Sequence, residues 1–235
     1  MRAPKGRNIT YSLVETLGRS IVAGSYRADH PLSTEAELSQ QYGASRSVTR
    51  EAVKMLTTKG LLSARPRKGT TVQPESAWNL FDPDVLRWLL ERPSSLDLLR
   101  QFSEVRLAIE PTAAALVAMR GDPADLAPIE AGLERMRAAE RGEDEGLDAD
   151  IAFHVAILHA THNPFYRQLD DLVNTALRIS IRLTNSRKGV RQASVPAHAK
   201  VVDAIRDKDP AAASKAMAAL LEEVMDLIAQ SRGAG

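Results

Sequence analysis

The sequence predicts a mainly α protein: two short helices and a small β-hairpin early in the chain, then an antiparallel bundle of helices. Three observations carry that expectation. Residues 34–72, TEAELSQQYGASRSVTREAVKMLTTKGLLSARPRKGTTV, hold two helical patterns, a tight turn and a basic hairpin in that order. Everything after Asp84 reads as amphipathic segments separated by short breaks. Charge is divided: residues 1–74 carry 12 Lys and Arg against 5 Asp and Glu, and the remainder carries 19 against 25.

The first helix is expected over about Ser12 to Val22, ending near Gly24. Thr34 followed by Glu37 is a capping-box start, in which a hydroxyl and a carboxylate satisfy orphan amides at a helix N-terminus. Leu38 and Tyr42 mark the apolar face of that helix, and Gly43 can adopt the left-handed turn that ends it. Ser45 is the N-cap of the next helix. There Val48, Ala52, Met55 and Leu56 recur at helical spacing and are expected to face the core, while Arg46, Ser47, Thr49 and Arg50 point elsewhere. Leu61–Ala64 can pair with Thr70–Val72 as a hairpin tipped by Arg65-Pro66-Arg67-Lys68-Gly69. Read alone, such a tip is a solvated surface turn. Behind a helix-turn-helix it is a wing, whose cations suit phosphates or a narrow minor groove. Residues 1–74 are thus expected to be a winged helix-turn-helix, with the second helix of the motif presenting its N-terminal residues to base edges.

A basic first third joined to an acidic remainder is the electrostatic footprint of a DNA reader fused to a second function. The 235 residues allow two domains. No run of about 18 apolar residues is present, and the basic N-terminus lacks the apolar stretch of a signal peptide. With no cysteine there are no disulfides and no thiolate metal sites, which fits a cytoplasmic protein. Residues 75–84 are rich in turn formers and are expected to be a linker, with Trp78, Leu80 and Phe81 as its packing anchors. Six or seven helices are expected over 85–232. They are separated at Arg92–Ser95, Gly121–Pro123, Arg141–Asp144, His162–Pro164, Ser186–Gly189 and Asp207–Pro210, and make an antiparallel bundle.

Both halves resemble known families. LSTEAEL, ASRSVTREAV, KGL and RKGTTV are similar to the DNA-binding domain of the GntR family of bacterial transcription regulators. The resemblance implies that Arg46 and Arg50 contact bases and phosphates, with Ser45, Ser47, Val48 and Thr49 beside them at the DNA surface. It places Arg67, Lys68 and Gly69 at the wing. Where the family often has Arg, this chain has Ala36, which implies a lost DNA contact and a different half-site. SEVRLAIEPTAAALVA, DIAFHVAIL, HNPFYRQL and AHAKVVDAIRDKDPAAASKAM resemble the all-helical FCD ligand-sensing domain of the FadR subfamily.

Asp150 and His154 stand four apart, so one helical face presents a carboxylate and an imidazole to the same point. With His198 they form a nitrogen and oxygen donor set suited to Zn, Ni or Mn; the bland reading is a core Asp–His pair without metal. In related sensors a fourth ligand, a histidine, lies 22 residues beyond the His198 position, where this chain has Leu220. His159 and His162 fall off the His154 face and read as surface or helix-end residues. The resemblance also implies a small carboxylate effector held by Arg106, Asn174, Arg178, Arg182 and Thr184. The bland alternative for Arg106 is an intra-helix pair with Glu110. WNLFDPDVLRWLLE is similar to subfamily members that govern galactonate use, which implies a sugar acid such as galactonate.

The expected protein is therefore a homodimeric repressor that binds a pseudo-palindromic double-stranded DNA operator and leaves it when the effector binds. An activator or dual regulator would share this architecture. A helical metalloenzyme is the rival from another class, and the sequence shows no further carboxylate or histidine standing out as its general base.

Overall fold

The computed structural model describes residues 5–28, 30–65, 69–92, 96–178 and 194–232. They form two compact units that divide after Arg92.

The first unit contains α1 (Lys5–Val22), α2 (Glu35–Tyr42), α3 (Arg46–Thr58), β1 (Leu62–Arg65), β2 (Gly69–Val72) and α4 (Pro83–Leu90). The capping box forms as the sequence indicates: the Thr34 amide donates to Glu37 Oε2 at 2.7 Å, and the Glu37 amide donates to Thr34 Oγ1 at 3.3 Å. Gly43 closes α2 at φ 61°, and Ser45 caps α3 by accepting from the Val48 amide. β1 and β2 are antiparallel, with Leu62 opposite Val72 and Arg65 opposite Gly69. Leu13, Leu17, Ile21, Leu38, Ala52, Leu56, Leu61, Leu62 and Val72 make the core. Helix α1 begins earlier than the apolar periodicity indicates, because its opening turn, KGRN, carries no repeating apolar position.

The segment expected as a linker belongs to this unit. Trp78 is buried, and its indole donates to the Gln73 carbonyl at 3.0 Å. Leu80 and Phe81, expected as anchors, are 41% and 66% exposed. Polar groups do the anchoring: Asp82 caps α4, and Lys59 at the end of α3 reaches both Asp82 (2.8 Å) and Asp84 (2.9 Å). Helix α4, expected in the second domain, buries Val85, Leu86, Trp88, Leu89 and Leu90. Gly18 makes room for it, since a Cβ there would lie 2.3 Å from the Trp88 ring. Arg87 grips Glu15 of α1 with two hydrogen bonds, at 2.8 and 2.7 Å.

The second unit holds seven helices among the described residues: α5 (Leu96–Arg120), α6 (Pro123–Glu140), α7 (Gly146–Ala160), α8 (Pro164–Arg167), α9 (170–178), α10 (Val195–Arg206) and α11 (Pro210–Arg232). Asp122, Asn163 and Ser194 cap the helices that follow three of the connections. The expected break at 186–189 lies outside the described residues. Helix α5 packs along α11, α6 along α7, and α10 against α5, α6 and α11. At the centre is Phe153 of α7, fully buried with Ile129, Ile157, Leu158, Val201 and Met217.

Gly132 lets α6 and α7 approach so closely that an added Cβ would lie 2.9 Å from Phe153 Cα and 3.0 Å from Phe153 N. Gly132→Ala gains about 1 kcal/mol in helix propensity, but backbone cannot swing aside and overpacking costs ~1–3 kcal/mol. The variant is expected to unfold at lower urea concentration; a raised midpoint would show that the helices do not meet at this position.

The Glu15 clasp gives a second prediction. The Arg87 hydrogen bonds, against the opposing effect of burial, hold the Glu15 carboxyl at about 2, below its ordinary 4.5. A depressed carboxylate stabilises the fold fully above 4.5, and that contribution disappears as pH falls from 4.5 to about 2. The side chain is 35% exposed, so solvent screening keeps the effect to ~1 kcal/mol. Chemical denaturation should find Glu15→Gln less stable than wild type at pH 7, with the gap closing toward pH 3. A gap independent of pH would refute the clasp.

Candidate functional site

On the first unit the outward side of α3 presents Arg46, Ser47 and Arg50, all exposed. Among the described residues neither arginine is held by an ion pair, so both are available to phosphates and base edges. Ser45 is tied into the cap and lies 3.0 Å from the Ser47 hydroxyl. Val48 is half-buried.

Thr49 differs from its expected position. It is 1% exposed, its hydroxyl 2.9 Å from Ser39 Oγ and donating to the Ser45 carbonyl at 3.2 Å. The buried stripe of α3 is Thr49, Ala52, Val53 and Leu56, a helical face of i, i+3, i+4 and i+7. A threonine joins it because both hydrogen-bonding needs of its hydroxyl are met inside. Thr49 thus holds the two helices of the motif together and does not face outward. Gly69 is exposed at φ 77°, a left-handed conformation that suits glycine at the end of the turn. Arg67 and Lys68 lie outside the described residues.

The second unit brings Asp150, His154 and His198 together. Each is buried, and each offers one ligand atom within 4.8 Å of the others. Asp150 and His154 lie one turn apart on α7, and His198 comes from α10, positioned by the Ser194 cap. Each imidazole is held through its far nitrogen. His154 Nδ1 lies 2.6 Å from Glu110 Oε2 and 3.3 Å from Arg106 NH2. His198 Nδ1 donates to the Ser194 carbonyl at 2.9 Å. Both Nε2 atoms face the Asp150 carboxylate.

Asp150 Oδ1 sits 3.0 Å from His198 Nε2 and 3.8 Å from His154 Nε2. Despite the 3.0 Å approach, neither Asp150 Oδ1 nor His198 Nε2 makes an aligned hydrogen bond. Burial alone would raise the Asp150 carboxyl. The neighbouring His198 and His154 and the Arg106 charge outweigh it and hold the group below the ordinary carboxylate value. A carboxylate oxygen and two imidazole nitrogens converging away from water fit a divalent cation, and imidazoles fixed through their far nitrogens are the usual support for one. Leu220 is buried.

Arg106 and Glu110, on α5, are 3% and 1% exposed. The intra-helix pair forms, Arg106 Nε to Glu110 Oε1 at 2.5 Å, and Arg106 NH2 also lies 3.3 Å from His154 Nδ1. Arg106 is therefore both paired and beside the donor cluster. The i, i+4 spacing made the pair readable, but nothing in the sequence linked Glu110 to His154 on another helix. Asn174 accepts from Arg178 at 3.1 Å, and Arg178 lies 2.8 Å from Asp148 on the first turn of α7. Arg182 and Thr184 lie outside the described residues. His159 and His162 are surface groups paired with Asp170 and Asp125.

Comparison with known proteins covers both units. Residues 10–72 match the model of the bacterial regulatory proteins of the gntR family, and residues 101–223 match that of the FCD domain. The chain is 36% identical to the galactonate operon transcriptional repressor of Escherichia coli K12, covering 89% of this chain and 92% of that protein. It is 33% identical to the HTH-type transcriptional regulator YieP of the same organism, covering 92% and 93%. Among solved structures it is similar to Streptococcus agalactiae GntR, with 25% identity, a TM-score of 0.51, and coverage of 92% of this chain and 99% of that one.

Proposed function

Since the chain belongs to the gntR family of bacterial regulatory proteins, we propose that it represses sugar-acid catabolism genes and leaves its operator when a small carboxylate binds. It is a DNA-binding transcription regulator and not an enzyme. No helix among the described residues is long and apolar enough to cross a membrane.

The observation that carries the effector reading is the buried donor cluster of the FCD domain. Asp150, His154 and His198 would hold a divalent ion such as Zn, Ni or Mn, which when bound supplies positive charge and open coordination positions to an anionic ligand. Arg106 and Glu110 neutralise each other, and Asp150 adds one negative charge to the cluster. A divalent cation reverses that sign and leaves the charge that complements one carboxylate. Asn174 and Arg178 supply polar groups on α9 for the hydroxyls of a sugar acid. The galactonate class is supported by the 36% identity to the galactonate operon repressor.

At the DNA, two copies related by two-fold symmetry read a pseudo-palindromic site, with Arg46 and Arg50 as the principal contacts, Ser45, Ser47 and Val48 beside them, and the wing residues Arg67, Lys68 and Gly69 at the backbone or minor groove. Release requires only that the effector bind more tightly to a geometry in which the two readers no longer fit both half-sites.

Fluorescence anisotropy of a labelled fragment from upstream of this gene tests the whole reading. Protein is expected to bind it, and D-galactonate to release it. Binding unmoved by D-galactonate and a panel of other sugar acids would discard the effector class while keeping the regulator. A second measurement addresses the contacts: Arg46→Ala is expected to cost ~1–3 kcal/mol of operator binding and to relax specificity at one base pair. Wild-type affinity in that variant would remove Arg46 from the interface.

A further inference from the structure

Glu110 is a carboxylate placed where a core helix would ordinarily carry an apolar side chain. It is 1% exposed, and its two oxygens are divided between two helices. Oε1 accepts from Arg106 Nε at 2.5 Å on its own helix, and Oε2 lies 2.6 Å from His154 Nδ1 on α7. Oε2 also accepts from Arg106 NH2 at 3.2 Å. Without it, His154 Nδ1 would face only Arg106 NH2 at 3.3 Å, a donor that favours the lone pair and not the proton on that nitrogen.

We propose that Glu110 is a positioning residue of the metal centre, setting the imidazole tautomer of His154 so that its Nε2 lone pair meets Asp150 and His198. The inference rests on the metal reading of that cluster. Only an acceptor at His154 Nδ1 keeps the proton there, and in a buried imidazole the proton otherwise resides on Nε2, the atom the cation needs. Arg106 balances the carboxylate charge from its other side, its Nε donating to Oε1. His198 is locked independently by the Ser194 carbonyl at 2.9 Å, so the two imidazoles form an internal comparison within one chain. Glutamine in place of Glu110 keeps the shape but has a single acceptor oxygen. Whichever of the two carboxylate positions its oxygen takes, its amide nitrogen opposes an N–H at the other.

The test uses full-length protein stripped with chelator and carrying nitrogen-15 in its histidines. Side-chain nitrogen shifts report the tautomer of each ring, and titration with zinc, against a chromophoric chelator, reports affinity. Wild type is expected to show His154 and His198 protonated at Nδ1. In Glu110→Gln, His154 is expected to lose that state while His198 keeps it, and zinc affinity is expected to fall about 10–100-fold. Unchanged His154 shifts together with unchanged zinc affinity would overturn the proposal and leave Glu110 as a counter-ion of Arg106. Should the single variant fail to fold, Arg106→Met/Glu110→Met removes both charges without stranding either, and the same shifts decide. If wild type binds no zinc, the metal reading fails by itself. The tautomer then judges Glu110: loss of the Nδ1 proton from His154 in the variant sustains its positioning role, and an unaltered ring ends it.

Discussion

The second unit depends on one constraint: every charge taken into its interior must find a partner there. Asp150, Glu110, Arg106, His154 and His198 are all buried between α5, α7 and α10. An uncompensated charge in that position costs several kcal/mol, so the helices that bring these groups together must be held closely and in fixed rotation. Gly132 provides the closeness, by letting α6 meet the backbone of α7 at Phe153. The Phe153 ring provides the rotation, packing edge-on against both imidazoles at 5.5 and 4.8 Å between centroids. The apolar core thus acts as a jig for polar atoms, and its tolerance for change is set by them.

The first unit solves a different problem with different means. Arg46 and Arg50 stay exposed on α3 without an ion pair among the described residues, and rigidity comes from another part of the unit. There α1, the end of α3 and α4 are joined by Glu15–Arg87, Lys59–Asp82 and Lys59–Asp84, with Trp88 lying over Gly18. Lys59 is half-withdrawn from solvent, and its two carboxylate partners outweigh the burial that would otherwise lower it, so its charge is raised in preference. Basic residues are thus sorted by their surroundings: Arg87 and Lys59 are neutralised by carboxylates, while Arg46 and Arg50 keep an exposed and unbalanced field.

What was legible in the sequence was what is local. The capping box at Thr34 and Glu37, the Ser45 cap and the Gly43 turn are each decided within a few residues, and they formed. The i, i+4 relation of Asp150 to His154, and of Arg106 to Glu110, is fixed by helix geometry. Thr49 was misread because its polarity argued for solvent, whereas its partners, Ser39 and the Ser45 carbonyl, satisfy it inside. The attachment of α4 was misread because turn-forming residues at 75–84 suggested a joint; its ties to Gly18, Glu15 and Lys59 lie 23 or more residues away in sequence. The bond from Glu110 to His154 crosses between helices, and no periodicity records it.

The number of donors bears on why the cluster suits a sensor. A site meant to hold a metal permanently closes its coordination with protein groups; a site meant to respond keeps positions open. With three donors, an ion held at Asp150, His154 and His198 would keep coordination positions that none of the three fills. Each vacancy is a place for a carboxylate or hydroxyl oxygen, and each lost protein ligand weakens the hold on the metal. The second effect makes support from outside the ligand set matter more: when only two imidazoles are available, the orientation of each is a larger share of the affinity. The buried Glu110–Arg106 pair is costly to maintain in a helical core, and its position against the back of His154 is where such support has the greatest leverage.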